Sequence, residues 1–430
     1  MSPAPIAWRR GLAWLAFLGP FFYLSYGIAN HLAATRGDVP SVVFDWEHAV
    51  PFVAWSIVPY WSINAFYAAS LFVHRSVAAV DVQGRRLLTA QLVAVACFLL
   101  WPLHFSVERP DTDGLPGAMF DALTSFDKPY NQAPSLHIAL LVILWTVYTP
   151  KLRPALRPLL HAWFLLIGIS VLTTYQHHFI DIPTGALLGA FCLWLWPEHG
   201  PSPLASAGWT GDPARRRMAL RYALGSVACA AVAAAIGGTA WWLLWPAVSL
   251  LLVALAYAVL GTSVFQKQAD GRLPPGARLL LLPYLIAARV NQWAWTRALP
   301  ADAMVADDVR LGRVPRWGES LPSSTALLDL SAELHTPATN SESLPCLDLV
   351  PPDPERLKHA AERIEALRHG QTVRVACALG FSRSACAVAT WLLRSGRAPG
   401  LDEAIERLRA AQPRLVIGEA QRAAILKASA

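Results

Sequence analysis

Up to about residue 262 the chain is a succession of apolar runs, each close to the ~20 residues a helix needs to cross a bilayer, with basic residues gathered at the joints between them. Runs near 11–31, 52–73, 87–106, 134–149, 157–175, 180–196, 220–240 and 243–262 predict about eight spans; the fourth and sixth are short, and the last two are Ala-rich. Composition agrees with this. Hydrophobic residues make up 55% of the chain and charged residues 15%; with a mean hydropathy of +0.38, that is too apolar for a soluble protein of this size. Eighteen tryptophans suit the aromatic belts of membrane–water interfaces. The first run is too long for a signal-peptide core and no small-residue cleavage site follows it, so it is expected to be retained.

The 430 residues predict two or three domains. A net charge of +7 raises the question of nucleic acid, but the basic residues sit between apolar runs rather than along one stripe, the pattern of membrane topology. With a cytoplasmic N-terminus, one set of connections holds fifteen of them: Arg9, Arg10, Arg75, Arg85, Arg86, Lys151, Arg153, Arg157, Arg215, Arg216, Arg217, Arg221, Lys267, Arg272 and Arg278. The opposite set holds three, Arg36, Arg109 and Lys128. That asymmetry puts everything after residue 262 in the cytoplasm. None of the six cysteines falls in an outer loop, so Cys377 is expected in a reducing compartment. The division is then a membrane domain over 1–262 with a core at about 50–200, a joining segment over 263–300, and a soluble α/β domain over 301–430. In the joining segment Ala277–Arg297 is too polar at its end to span and reads as an interfacial helix.

The stretch VRVACALGFSRSACAVATWLL opens with a short strand, Thr372 to Val375, and continues into an amphipathic helix, Ser384 to Arg394. Between them Cys377–Arg383 is a strand–loop–helix turn, where backbone N–H groups and a helix N-terminus favour an anion and lower a thiol pKa. Arg383 suits bidentate grip of phosphate, and Gly380 permits a backbone angle that a side chain resists. The signature C-x5-R-[ST], met by Cys377, Arg383 and Ser384, resembles that of the dual-specificity group of the protein tyrosine phosphatase superfamily. The resemblance covers roughly residues 300–425 and implies Cys377 as nucleophile forming a phosphocysteine, Arg383 as phosphate clamp and Ser384 as helper in releasing the thiolate. It implies an aspartate general acid some 30 residues upstream. Asp348, 29 residues before Cys377, fits; Asp353 is the second choice and also reads as a helix cap. VRLGRVPRW, from Val309, is similar to the group's first strand and turn, and Ala376 stands where the group usually has histidine. The five loop positions Ala378 to Ser382 carry no cation.

A second set of polar residues lies at expected outer span edges: Arg109, Ser135, His137, His177, His178 and Asp181. Ionisable groups at span ends are costly and usually functional. His177 and Asp181, spaced i, i+4, share one face if helical; the carboxylate then fixes one imidazole nitrogen and leaves the other free to attack. His137 is placed to protonate a leaving oxygen and Arg109 to hold phosphate. Pro134-Ser135-Leu136-His137 and His177 to Asp181 match the P-S-x-H and H-x3-D motifs, so residues 50–200 resemble the type 2 phosphatidic acid phosphatase superfamily, with a six-helix core. The resemblance implies a phosphohistidine at His177 oriented by Asp181, His137 as acid, and Ser135 and Arg109 on the phosphate. The arginine expected six positions before the nucleophile is Val171, and Lys128 is the substitute phosphate ligand. This thinner set also looks like the inositol phosphorylceramide and sphingomyelin synthase branch, which transfers a head group. His178 reads as a neighbour rather than a catalyst. A zinc site built from His137, His177, His178 and Asp181 has no cysteine to support it.

The expectation is a polytopic α-helical membrane bundle followed by a cytoplasmic α/β dual-specificity phosphatase-like domain, in a bacterial inner membrane. It is a phosphoric monoester hydrolase needing no cofactor or metal, because each nucleophile supplies its own activation. Gly380 is counted among its phosphate-binding residues. Its partners are a membrane lipid phosphate and a cytoplasmic phosphoprotein, with no nucleic acid. The competing readings are a head-group phosphotransferase and a non-catalytic phosphate-binding protein.

Overall fold

A computed structural model describes residues 5–336, 338 and 340–430. The chain divides into two compact units, up to Ser202 and from Pro203 onward.

The first unit is all helical: α1 (Pro5–Ala34), α2 (Ile57–Ser70), α3 (Val77–Leu100), α4 (Gly114–Thr124), α5 (Leu136–Tyr148), α6 (Arg157–Thr173) and α7 (Asp181–Leu195). Local chemistry sets the starts of two of them. Ser76 caps α3 by accepting from Ala79 N at 3.2 Å, and Ser135 caps α5 by accepting from Ile138 N at 3.3 Å. Two apolar clusters hold the unit together: one has Leu18, Leu87, Phe98, Leu136 and Cys192 at its centre, the other Ile57, Phe164, Ile167 and Val171. α7 approaches α5 closely, since a Cβ at Gly185 would lie 2.4 Å from Ser135 O.

The second unit begins with α8 (Pro213–Ile236), capped by Asp212, whose carboxylate accepts from Ala214 N at 2.8 Å. It continues through α9 (Leu244–Leu255), prolonged by a π-helical turn at Ala256–Leu260, then α10 (Pro275–Leu280) and α11 (Leu282–Thr296). Five strands follow, with four helices among and after them: β1 (Asp302–Ala306), β2 (Val309–Arg313), β3 (Thr325–Ser331), β4 (Ser341–Cys346), α12 (Pro354–Leu367), β5 (Thr372–Cys377), α13 (Arg383–Arg394), α14 (Leu401–Ala411) and α15 (Glu419–Ser429). The sheet order is β1-β2-β5-β3-β4, parallel except for the β1–β2 hairpin. Val309–Arg313 is therefore the second strand of this sheet, not its first. β5 is central, pairing Arg313 with Cys377 and Asp329 with Ala376. One face of the sheet packs on α12, α13 and α15 through Leu328, Val375, Ile364, Trp391 and Ile425. A smaller cluster of Val314, Leu327, Leu334, Ala376 and Ala378 takes Ala288 of α11 against it.

Among the described residues four helices, Ala7–Ala34, Pro154–Thr173, Pro213–Ile236 and Gly238–Val264, are long and apolar enough to cross a membrane. Four of the eight expected spans fall short of that measure. α5 and α7 have 13 and 15 residues, and at 1.5 Å per residue such helices reach only about 20–22 Å of a ~30 Å hydrocarbon layer. α2 has 14 residues. α3, at 24 residues, begins well before the run at 87–106 and so takes in Asp81, Arg85 and Arg86. Two of these charges are paired: Asp81 accepts from Arg10 Nε and Trp14 Nε1, and Arg86 donates to Trp196 O at 2.8 Å.

Candidate functional sites

In the second unit β5 delivers Cys377 to a loop whose reversal depends on Gly380, at φ +80°. A Cβ there would meet Gly312 C at 2.6 Å, so glycine is required by both angle and space. Gly380 N and Ser384 Oγ each donate to Cys377 Sγ at 3.3 Å. Ser384 belongs to the first turn of α13, so Sγ stands at the N-terminal end of that helix. Gln292 of α11 steadies the loop from behind, donating to Val314 O at 2.9 Å and Ala378 O at 3.1 Å.

Arg383 is almost wholly buried, and Glu333 holds it in a two-pronged pair with N···O distances of 2.8 and 2.7 Å. Its Nη1 also donates to Cys346 O at 3.0 Å, and Asp348 Oδ1 lies 3.1 Å from Nη2. Burial pushes the Glu333 carboxyl up, but the Arg383 charge and its hydrogen bonds outweigh that and hold the group below the ordinary glutamate range. Asp348 goes the other way: burial, with the Glu333 charge beside it, lifts its carboxyl above the usual aspartate range against the pull of Arg383. The Asp348 backbone is fixed in turn by Tyr257, whose hydroxyl donates to Asp348 O at 2.8 Å. Asp353 serves as the cap of α12, accepting from Glu355 N at 2.9 Å.

In the first unit His177 Nδ1 lies 3.1 Å from Asp181 Oδ2, and Nε2 lies 3.2 Å from Ser135 Oγ. The pair forms, though not on one helix as the spacing suggested. Asp181 is the first residue of α7 and His177 sits in the loop before it, which curls so that Asp181 also accepts from His178 N at 3.1 Å. Val171, where an arginine was expected, is buried in α6, and its carbonyl accepts from Gln176 N and His177 N at 3.2 and 3.1 Å. Arg109 donates to Thr174 O and Tyr175 O, just upstream of His177. Arg109, Lys128 and His177 border a single cavity of about 400 Å³, joined by Asp127, whose carboxyl burial pushes up to about 6. His137 stacks on Tyr60 with ring centroids 4.1 Å apart, its buried Nε2 has no hydrogen-bond partner, and it shares a second, smaller cavity with His177 and Asp127. His178 is fully engaged elsewhere: Nδ1 faces Glu47 at 3.2 Å, and Nε2 accepts from Ser106 N at 3.2 Å.

The sequence reading did not single out Glu333, Tyr257, Glu47 or Asp127. Only the need of a buried arginine for a counter-charge pointed toward Glu333, and no spacing marked it. Among the described residues no group of three or more His, Cys, Asp or Glu side chains is placed to hold a metal ion.

Residues 83–199 match the PAP2 superfamily. No curated protein matches the chain. Among solved structures, the chain is similar to Tk-PTP in its active form, at 22% identity over 30% of this chain and 97% of that one with a TM-score of 0.26. It is similar to PTPMT1 in complex with PI(5)P, at 18% identity over 30% and 95% with a TM-score of 0.26. Human DUSP28 is a third such structure, at 20% identity over 30% and 93% with a TM-score of 0.24. The superfamily match sets the enzyme class: the chain is a phosphoric monoester hydrolase.

Proposed function

We propose that the chain is a membrane-bound phosphatase with two phosphomonoesterase sites, in a bacterial cytoplasmic membrane. A histidine site faces outward and acts on lipid phosphates, and a cysteine site faces the cytoplasm. The observation that carries the reading is the set around Cys377: a sulfur accepting two hydrogen bonds, with Arg383 and an aspartate of raised pKa beside it. At that site the thiolate attacks phosphorus, the bond from phosphorus to the leaving oxygen breaks, and Asp348 gives that oxygen its proton. Asp348 then takes a proton from water as the water oxygen attacks phosphorus, and the sulfur–phosphorus bond breaks with Ser384 donating to the departing thiolate. Arg383 binds the phosphoryl oxygens, a role for a planar fork. At the other site the Asp181 carboxylate holds Nδ1–H of His177, so Nε2 carries the attacking lone pair. His137 protonates the leaving oxygen as its bond to phosphorus breaks, then takes a proton from the water that attacks phosphorus and frees Nε2, while Arg109, Lys128 and Ser135 hold the phosphate.

The test is inorganic phosphate release from a panel of phosphomonoesters by the full chain, with Cys377→Ser and His177→Ala made separately. Each substitution is expected to abolish turnover of a different subset. Wild-type rates on every substrate in Cys377→Ser would remove the cysteine site from the reading, and the same result in His177→Ala would remove the other.

A further inference from the structure

The cysteine loop does not open onto a shallow polar cleft. It borders a cavity of about 980 Å³, at the upper end of the range for small-ligand sites. Cys377, Asp348 and Arg383 line it, and so do Tyr222 of α8, Pro246 and Leu250 of α9, and Ala287 of α11. The helices carrying Tyr222, Pro246 and Leu250 are two of the four long and apolar enough to span a membrane. Tyr257, at the end of that pair, holds the Asp348 carbonyl, and Leu250 lies seven residues earlier in the chain, about 10 Å of helix rise away. The cavity's lining thus joins the Cys377 loop to two helices long and apolar enough to cross a membrane. The outward side of the same helices is apolar and exposed at Leu220, Leu224 and Leu251, as befits helices in contact with acyl chains.

From this placement we infer that the cysteine site takes a lipid phosphomonoester, whose phosphate sits on the Cys377–Arg383 loop while its acyl chains lie along Pro246, Leu250 and Ala287. The inference rests on the reading of Cys377 as nucleophile and narrows its substrate from phosphoprotein or phospholipid to lipid alone. The cavity's cations are Arg383 and Arg414. Arg383 is already committed to Glu333 and Asp348, so the site suits one phosphate at the end of an apolar body rather than several.

The experiment uses the full chain in detergent micelles with His177→Ala, so that turnover is read from the cysteine site. Cys377-dependent kcat/KM is measured on dioleoyl phosphatidic acid, glycerol 3-phosphate, a phosphotyrosyl peptide and p-nitrophenyl phosphate. The lipid is expected to exceed glycerol 3-phosphate by about 100-fold, the discrimination that a few buried methylenes supply, and to exceed the peptide. Ala287→Trp fills the cavity from an exposed position on α11, and Leu250→Trp fills it from α9. Each is expected to lower the ratio of lipid to p-nitrophenyl phosphate turnover about tenfold, the effect of losing roughly two methylenes' contact. Peptide turnover equal to or faster than lipid turnover overturns the inference while leaving the nucleophile in place. So do equal rates on lipid and glycerol 3-phosphate, or an unchanged ratio in both tryptophan variants. Absence of any Cys377-dependent p-nitrophenyl phosphate turnover overturns the nucleophile and the inference together.

Discussion

Arg383 is a cation that the fold has committed before substrate arrives. Glu333 takes both terminal nitrogens, which orients the fork and leaves the buried Nε without a hydrogen-bond partner. Removing one charge of such a pair strands the other. Glu333→Gln keeps the shape but is expected to destabilise the unit by about 3–5 kcal/mol, read as a lowered thermal midpoint, and to depress cysteine-site turnover. The pH dependence follows from the sign of the shift. Because the folded carboxyl lies below the ordinary 4.5, its stabilisation is fully present above that value and is lost as pH falls below it through the lowered folded value. Glu333→Gln should flatten that acid limb in melts taken across pH 3–6, roughly the window around the ordinary value; an unchanged limb would assign it to other groups. Asp348 behaves in the opposite sense. Its carboxyl is raised, and a general acid works while protonated, so kcat/KM on an alkyl phosphate should fall as pH rises through that raised value. Asp348→Asn should remove this dependence and slow alkyl phosphates by about 100-fold or more, with a smaller loss on aryl phosphates. Equal losses on both would rule Asp348 out as the acid.

At the scale of elements, motif spacing pointed to the proposed nucleophiles, while the neighbours that hold them came from distant segments. C-x5-R-[ST] and H-x3-D are local patterns, and Ser384 meets Cys377 and His177 meets Asp181, while Arg383 pairs with Glu333. Glu333 lies 50 residues from Arg383 and Tyr257 lies 91 from Asp348, distances at which no periodicity operates. Helix length was the other weak point, because an apolar run records burial but not whether lipid or protein does the burying. α5 and α7 are apolar because they pack on each other and on α3, and they end at 13 and 15 residues. The Tyr257 contact gives a test at this scale. Tyr257→Phe retains the ring stacked on Tyr222 but deletes the hydroxyl on the acid loop. A hydrogen bond of about 0.5–1.5 kcal/mol translates into a two- to tenfold fall in turnover of alkyl phosphates. Aryl phosphates, whose leaving oxygen asks less of Asp348, should change less. A uniform loss across both substrate types would mean that the tyrosine serves stability rather than the acid.

For the whole molecule the two proposed sites differ in nucleophile and in the side of the membrane they face, so they should respond independently to reagents. Cys377 is proposed to act as a thiolate, so iodoacetamide should stop cysteine-site turnover and leave His177-dependent turnover intact. Cys346 and Cys386 are buried in the sheet domain's core, and the side chains bonded to His177 are Ser135 and Asp181, neither of which an alkylating reagent modifies. A chelator should spare both, since in each proposed mechanism a side chain is the nucleophile and an aspartate or histidine moves the proton. The expected sidedness comes from charge alone, fifteen basic residues in one set of sequence-expected connections against three in the other, a bias that sets orientation in short loops. Sealed vesicles of the two orientations therefore give the sharpest measurement. A membrane-impermeant thiol reagent should inactivate the cysteine site only in inside-out vesicles, where the cytoplasmic face is outside. His177-dependent release of phosphate from outer-leaflet lipid should be seen only in right-side-out ones. Inactivation in right-side-out vesicles would place Cys377 in an oxidising compartment, where a thiolate nucleophile is hard to sustain, and would overturn the topology and the cysteine mechanism in one observation.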